Sequence, residues 1–347
     1  MECTVSFLIP VYNSASVLAE TLDSILDQDD GSIEIICVND GSTDSSGDVL
    51  SSYSKTHSCV RVVSQQNQGI TAARNAALSH ATGQWVCFVD NDDIVAANAV
   101  SVIHQVTDDT CDIVYFNYQR FSSSLPDQSD NRVGNDRYLR GKDIEKLQSD
   151  CINRFRSNVP LISHSVLPTP WAKVYRLEFL RTHNLCFRQE VTHEEDIVFN
   201  FEVLAHVNVA KMVDYTMYYY RWSVYSESHR YRPQMASSAS ETLCAYHDIV
   251  QRCYADRQDI ALLYRYRVLW ELMYCVFLGP MHQQNPQSYG KRRQQFRTLL
   301  RSPEYRGVFN GISTLKFEPF QSILATCIRF RQFWLLNLLG KIVGKFR

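Results

Sequence analysis

Gln84–Asp93 reads QWVCFVDNDD, and its two halves have opposite chemistry. Trp85–Val89 is apolar and rich in Val and aromatics, which predicts a fully buried strand. Asp90, Asn91, Asp92 and Asp93 follow at once. Three carboxylates in four positions repel one another and raise each other's pKa unless a cation lies among them. With no thiolate or imidazole alongside, the oxygen donors suit Mg²⁺ or Mn²⁺ rather than zinc. Such ions usually complete their shells with substrate phosphates. The stretch therefore predicts a metal–phosphate site at the carboxyl end of a central strand. The plainer alternative is an acidic surface turn, because Asn and Asp favour turns.

Upstream, three more apolar runs repeat the pattern: Val5–Ile9 closed by Pro10, Ile33–Val38 running into Asn39–Asp44, and Val60–Ser64. Strand starts near 5, 33, 60 and 85 give a repeat of roughly 25–28 residues, the rhythm of βαβ units. Between the first two runs, Val17, Leu18, Thr21, Leu22, Ile25 and Leu26 recur at helical spacing, with Asn13 or Ser14 as candidate cap. Thr71–Ala81 is an Ala-rich helical segment, with Gly83 placed to end it as a C′ residue. The expected architecture is α/β, a mostly parallel sheet covered on both faces by helices. Ligands bind such sheets outside the carboxyl ends of the strands, where Tyr12, Asp40, Gln68 and Asp90 all fall.

Downstream, Ile113–Phe116 reads as a fifth strand and Ser122–Arg140 as a polar loop. Trp171–Leu180 and Ile197–Leu204 have mixed helical patterns, and a second acidic cluster, Thr192–Asp196, lies between them. Tyr215–Trp222 is densely aromatic; from Pro233 the chain turns helical, in Met235–Tyr254 and Ile260–Leu278. A domain boundary is therefore expected near residue 230, consistent with the two domains that 347 residues suggest. Eleven cysteines without ligand spacing point to reduced thiols in a cytosol. The N-terminus has no basic leader, and no uncharged run reaches the ~20 residues that span a bilayer. The expectation is a protein that is cytoplasmic or lies on the inner face of the cell membrane.

Five stretches together resemble glycosyltransferase family 2, the inverting enzymes with a GT-A fold. They are SFLIPVYN at Ser6–Asn13, VNDGSTD at Val38–Asp44, NQGITAARNAAL at Asn67–Leu78, FVDNDD at Phe88–Asp93 and EEDIVFN at Glu194–Asn200. Their order and spacing are the family's, over roughly residues 4–230. WAKVYRLEFL at Trp171–Leu180 and YYYR at Tyr218–Arg221 are similar to pieces of bacterial members. The resemblance implies a GT-A catalytic domain over 1–230, with a nucleotide-sugar half to about 115 and an acceptor half from about 116, then a helical domain over 231–347.

It also implies roles. Pro10, Val11, Tyr12, Asp40, Gly69, Arg74, Asn75, Asp90 and Asn91 would surround the nucleotide-sugar, with Asp40 accepting from the nucleobase and Pro10–Tyr12 forming an apolar wall. Arg74 and Asn75 would lie beside the nucleotide or hold the acidic loop. Asp90 and Asp92 match the two acids of a DxD motif; Asp92 would ligate Mn²⁺ or Mg²⁺, and Asp90 would reach the ribose or a metal-bound water. The base maps onto Asp196, with Glu195 second because Glu194 adds an extra acid. Further candidates are His193 as base or ligand, Lys173 and Arg221 as phosphate clamps, His229 near the diphosphate, and Trp171 stacked on a sugar. Each has a structural alternative in a core or at a surface.

From Phe317 to Arg347 there is no acid beyond Glu318, while basic and apolar residues alternate, as in a helix lying on an anionic membrane or one packed against the protein. The expected function is metal-dependent transfer of a hexose from a nucleotide-diphosphate sugar, a UDP-sugar in the first instance, to a glycan or lipid-linked acceptor in surface polysaccharide synthesis. No nucleic-acid partner is expected. The alternatives are a non-catalytic scaffold that keeps the fold, and a nucleotidyltransferase, although PVYNSAS is not its Gly-rich phosphate loop. No GxGxxG follows the first strand, which argues against a dinucleotide dehydrogenase.

Overall fold

The computed structural model describes residues 4–122, 124–129, 131–153, 160–162, 166–222 and 231–343. The four apolar runs that end at Asp90 form β1 (Val5–Val11), β2 (Ile33–Asp40), β3 (Val60–Gln65) and β4 (Trp85–Phe88). They pair in parallel in the order β3–β2–β1–β4. Every residue of β1 and β4 is buried, as strands covered on both faces must be. The intervening helices are α1 (Leu18–Leu26), α2 (Ser46–Thr56) and α3 (Ile70–His80). Ala73 and Ala77, both fully buried, let α3 approach β1 and β2 closely.

Two local expectations fail. No side chain caps α1: Asn13 instead accepts from the Thr43 amide at 2.8 Å, and Ser14 offers its carbonyl to Val17 and Leu18. Gly83 is not a left-handed helix stop, since α3 has already ended into an extended Ala81. Its need for glycine is steric, because a Cβ there would lie 2.7 Å from Ser6 Oγ.

After β4 the chain continues through β5 (Ile94–Val95), α4 (Ala99–Val106), β6 (Ile113–Phe121), β7 (Asp136–Arg140), α5 (Lys142–Ile152), β8 (Lys173–Arg176), α6 (Leu177–Thr182), α7 (Glu195–His206) and β9 (Val209–Arg221). These strands carry the sheet outward as β4–β8–β6–β9–β5, with β7 on β9. Here β8, β5 and β7 run antiparallel to their neighbours, so the sheet is mixed beyond β4. β7 lies inside the stretch read as loop, and Trp171–Leu180 is a strand followed by a short helix.

The chain divides into two compact units: residues to 147 with 161–189 and 195–224, and residues from 225 with 148–160 and 190–194. The second unit's core joins α8 (Met235–Cys253), α9 (Gln258–Leu278), α10 (Tyr289–Leu299), α11 (Pro319–Arg329) and α12 (Phe333–Val343). The C-terminal segment is thus two helices, broken at Arg331, whose φ is 55°. Leu324, Ile328, Phe333 and Leu336 are core, which removes much of the expected membrane-facing stripe; Ile323, Phe330, Trp334 and Leu338 stay exposed. Among the described residues no helix is long and apolar enough to cross a membrane.

Candidate active site

The site originates where neighbouring strands part. β4 stops pairing with β1 at Phe88, opposite Leu8, while β1 runs on to Val11. Pro10 lies beyond that last β1–β4 pair, where its missing N–H removes no bond to β4. A cavity of about 520 Å³ opens at these carboxyl ends. β1 supplies Pro10 and Val11 with Tyr12 behind them, β2 supplies Asp40, and the start of α3 supplies Gly69, Ile70 and Ala73. Asn67, Asp90, Asn91, Asp92 and Tyr220 complete the lining.

Asp40 shapes this cleft. Its Oδ1 accepts from Gln65 Nε2 at 2.7 Å and from the Gln68 amide at 2.9 Å; its Oδ2 accepts from the Gly69 amide at 2.8 Å. The carboxylate expected to meet a nucleobase is therefore also the clamp that folds the loop before α3. Gly69 has φ 86°, a conformation that favours glycine.

The three acids after β4 have separate fates. Asp93 turns inward, accepting from Tyr218 Oη at 2.7 Å and from the Arg221 amide at 2.7 Å. Burial, then the charges of Asp90 and Asp92, hold its pKa well above the usual carboxylate range. Tyr218 Oη also accepts from the Asp90 amide at 3.0 Å, so one phenol fixes the turn. Asp90 pairs with Arg74 at 2.9 Å. Asp92 lines the cavity, and no other described residue donates a hydrogen bond to its carboxylate. Partial burial and Asp90 raise its pKa. A half-buried carboxylate without a donor, beside a second carboxylate, is a set of hard oxygens that fits Mg²⁺ or Mn²⁺.

Arg74, on α3, is the hub. Its side chain is 2% exposed and meets three carboxylates: Asp90, Glu195 at 3.3 Å and Asp196 at 2.5 Å. One guanidinium cannot neutralise three acids. Burial raises the pKa of Asp196; Arg74 opposes the rise, while Glu195 and Asp90 add to it. Glu195 and Asp196 form the first turn of α7, and Asn200 one turn on donates to the Asp196 carbonyl at 2.9 Å. Asp90 and Asp196, 106 positions apart, are thereby fastened to one side chain.

Other sequence-derived candidates fall elsewhere. Asn75 neither lines the cavity nor holds the acidic loop; it exchanges two hydrogen bonds with the Phe187 backbone, at 2.7 and 2.9 Å. Lys173 is fully buried, donates to the carbonyls of Val166 and Leu167, and lies over the Tyr115 ring, so it is no phosphate clamp. Arg221 is a brace: it donates to the Asp92 carbonyl and to Glu20. Trp171 is buried, stacked on Tyr218 at 4.9 Å and Tyr220 at 5.7 Å; only Tyr220 of that stack reaches the cavity. His193 pairs with Glu271 at 3.2 Å within the helical unit, beside Glu194, which pairs with Arg267. His193, Glu194 and Glu271 are close enough to share a metal, but Arg267 already supplies the cation there. His229 lies outside the described residues. Asn67, Ile70 and Tyr220 line the cavity without having been singled out as nucleotide contacts, although Asn67 and Ile70 belong to the NQGITAARNAAL stretch.

Comparison with known proteins gives the same direction. Residues 6–158 match the family described as "Glycosyl transferase family 2". EpsH of Bacillus subtilis, a glycosyltransferase by name, is 30% identical over 236 residues, 67% of this chain and 65% of that protein. The chain thus spans slightly less than two thirds of that relative. A poly(ribitol-phosphate) beta-glucosyltransferase of Bacillus spizizenii is 29% identical over 62% of this chain and 32% of its own length. Among solved structures, S. aureus TarS 1–349 in complex with UDP-GlcNAc superposes with a TM-score of 0.65 at 17% identity, covering 99% of this chain and 92% of that one.

Proposed function

We propose that the chain is a member of glycosyl transferase family 2 with the GT-A fold, and that it transfers a sugar from a nucleotide-diphosphate donor to a hydroxyl of a glycan or lipid-linked glycan, with inversion. The observation that carries this reading is the Arg74 bridge, which joins Asp90 on the cavity wall to Asp196 at the start of α7. Inverting transfer is a single displacement. The acceptor oxygen bonds to the anomeric carbon, the bond from that carbon to the diphosphate breaks, and the acceptor proton goes to a base. Asp196 is that base, since a carboxylate with a raised pKa holds a proton more readily near neutrality. Glu195, a first-turn neighbour on the same guanidinium, tunes it.

Asp92 and Asp90 would hold a Mn²⁺ or Mg²⁺ ion, whose contribution is to offset charge on the leaving diphosphate. Pro10–Tyr12 and Ile70 offer apolar surface to a base, and Asp40 with Gly69 presents a preset loop to the rest of the nucleoside. A UDP-sugar is the donor we favour, supported by the UDP-GlcNAc in the similarly folded TarS complex. The name of the poly(ribitol-phosphate) relative supports a cell-surface polymer as acceptor. The exposed Phe330, Trp334 and Leu338, with basic neighbours, support contact with the inner face of the cell membrane.

Hydrolysis of UDP-, GDP- and dTDP-sugars in the absence of acceptor, with Mn²⁺ or with EDTA, tests the core of this. We expect slow metal-dependent release of one nucleotide, lost in Asp92→Ala. Nucleotide binding that is indifferent to both metal and Asp92, with no turnover on any acceptor, would instead mean a non-catalytic scaffold.

A further inference from the structure

We propose that the helical unit holds phosphate headgroups of an anionic lipid bilayer in an arginine-rimmed pocket between α10 and the start of α12. This gives a defined site to the membrane contact proposed above and does not depend on the transferase chemistry. Residues 288–347 contain twelve Lys and Arg against two acids, Glu304 and Glu318, although the whole chain carries a formal charge of −2. Positive charge is therefore concentrated in this part of the sequence.

Arg293 and Arg297 lie one helical turn apart on α10, Arg301 follows just past its end, and Arg331 precedes α12. These four rim a cavity of about 340 Å³ whose remaining lining is Phe296, Leu300 and Phe333. The rings of Phe296 and Phe333, both buried, have centroids 5.4 Å apart and give the pocket an apolar wall. Among the described residues, none of the four guanidiniums has an ion-pair partner. Cations gathered this closely repel one another until an anion with several acceptor oxygens enters, and guanidinium groups match phosphate oxygens two at a time. A free phosphate would satisfy the rim but leave the aromatic wall unused; a lipid phosphate brings an apolar root with it.

The surroundings favour the bilayer. Phe330 is 65% exposed and Trp334 60% exposed, both within three residues of Arg331. Trp334 keeps its indole N–H on Gln332 Oε1 at 3.0 Å, leaving the rest of the ring to solvent. An amphipathic aromatic beside basic side chains is the composition of a membrane–water boundary. The pocket thus replaces the continuous amphipathic helix expected from sequence with a built headgroup site and flanking aromatic anchors.

Flotation of the full chain with phosphatidylcholine vesicles, with and without phosphatidylglycerol, tests the proposal. Binding is expected only with phosphatidylglycerol. Combining Arg293→Gln, Arg297→Gln and Arg301→Gln should weaken it about a hundredfold, since each basic side chain at an anionic surface contributes about fivefold. Removing the same charge outside the pocket, by Arg306→Gln, Lys316→Gln and Lys341→Gln, should cost clearly less. Melting temperatures check that both variants are folded. Equal losses in the two variants would reduce the effect to diffuse attraction and overturn the pocket. Quenching of tryptophan fluorescence by inorganic pyrophosphate, removed by the first variant while vesicles fail to bind wild type, would reassign the pocket to a soluble phosphate and overturn the lipid source. Failure on either count leaves donor hydrolysis unaffected, so the two readings fall separately.

Discussion

Three consecutive acids, Glu194, Glu195 and Asp196, are divided between two buried arginines, and the two clusters are built differently. Around Arg267 the centre is closed: Arg267 and Glu271 are both 0% exposed, Glu194, 14% exposed, completes the pairing, and His193 sits on Glu271 with its ring stacked on Tyr274. Around Arg74 the guanidinium is just as deeply buried, but its three carboxylates remain 18–26% exposed and one of them borders a cavity. The first cluster sets two carboxylates and a histidine against one arginine, with Arg267 and Glu271 sealed from water. The second has more acids than cations and an opening to water. A buried arginine by itself thus says little about function; surplus charge and access tell a scaffold from a site. Glu194, whose φ of 59° is left-handed, marks the position at which the chain passes from one arginine to the other.

Several measurements would break or sharpen this contrast. The largest effect belongs to the open cluster: Asp196→Asn should lower transfer by about a thousandfold, the range of lost general-base catalysis, while nucleotide affinity by calorimetry stays near wild type. Loss of nucleotide binding in that variant would remove Asp196 from the role of base. Next comes the closed cluster. Arg267→Met leaves Glu194 and Glu271 without their cation and should destabilise the fold by about 3 kcal/mol in urea unfolding, with no change in the donor KM of the folded protein. A KM effect would mean that the two clusters are not separate in function. Cutting back the loop clamp, Asp40→Ala leaves the Gly69 and Gln68 amides without their acceptor, and should cost about 2 kcal/mol together with weaker donor binding.

The smallest effect is a displacement in pH. The raised pKa of Asp196 means that its carboxyl keeps a proton to higher pH than an ordinary Asp, so transfer should be slow in acid and rise as pH passes through that raised value. Glu195 contributes to the rise. Glu195→Gln should therefore move the ascending limb of the kcat/KM profile to lower pH. A limb that stays in place would show that Glu195 and Asp196 do not share one electrostatic environment.

What could be read from the sequence was what is local. Four apolar runs ending in turn residues are strands whatever lies elsewhere, and their spacing sufficed for the parallel half of the sheet. Part of the cavity lining follows, because Pro10, Val11, Asp40 and Asp90 lie at or just past strand ends. What could not be read depends on partners far along the chain. Asn75 belongs to Phe187, 112 positions away, so its neighbourhood to Arg74 in sequence misplaces it. Lys173 reads from sequence as a candidate phosphate clamp because nothing nearby advertises the two carbonyls to which its buried amine donates. Gly83 has the spacing of a helix stop, but its constraint comes from Ser6 on the adjacent strand. In the last thirty residues the alternation of basic and apolar residues was visible, whereas the break at Arg331, which sends Leu324 and Phe333 inward, was not.

The Asp40 clamp has a kinetic consequence. Holding one residue's backbone in a single conformation costs about 1–2 kcal/mol of entropy, and the loop from Gln65 to Gly69 meets that cost when the protein folds, because three donors already rest on one carboxylate. A nucleotide entering the cleft encounters a surface whose shape does not wait for it. Capture on that side should then be a one-step process, with a bimolecular rate proportional to concentration and no slow isomerisation following it.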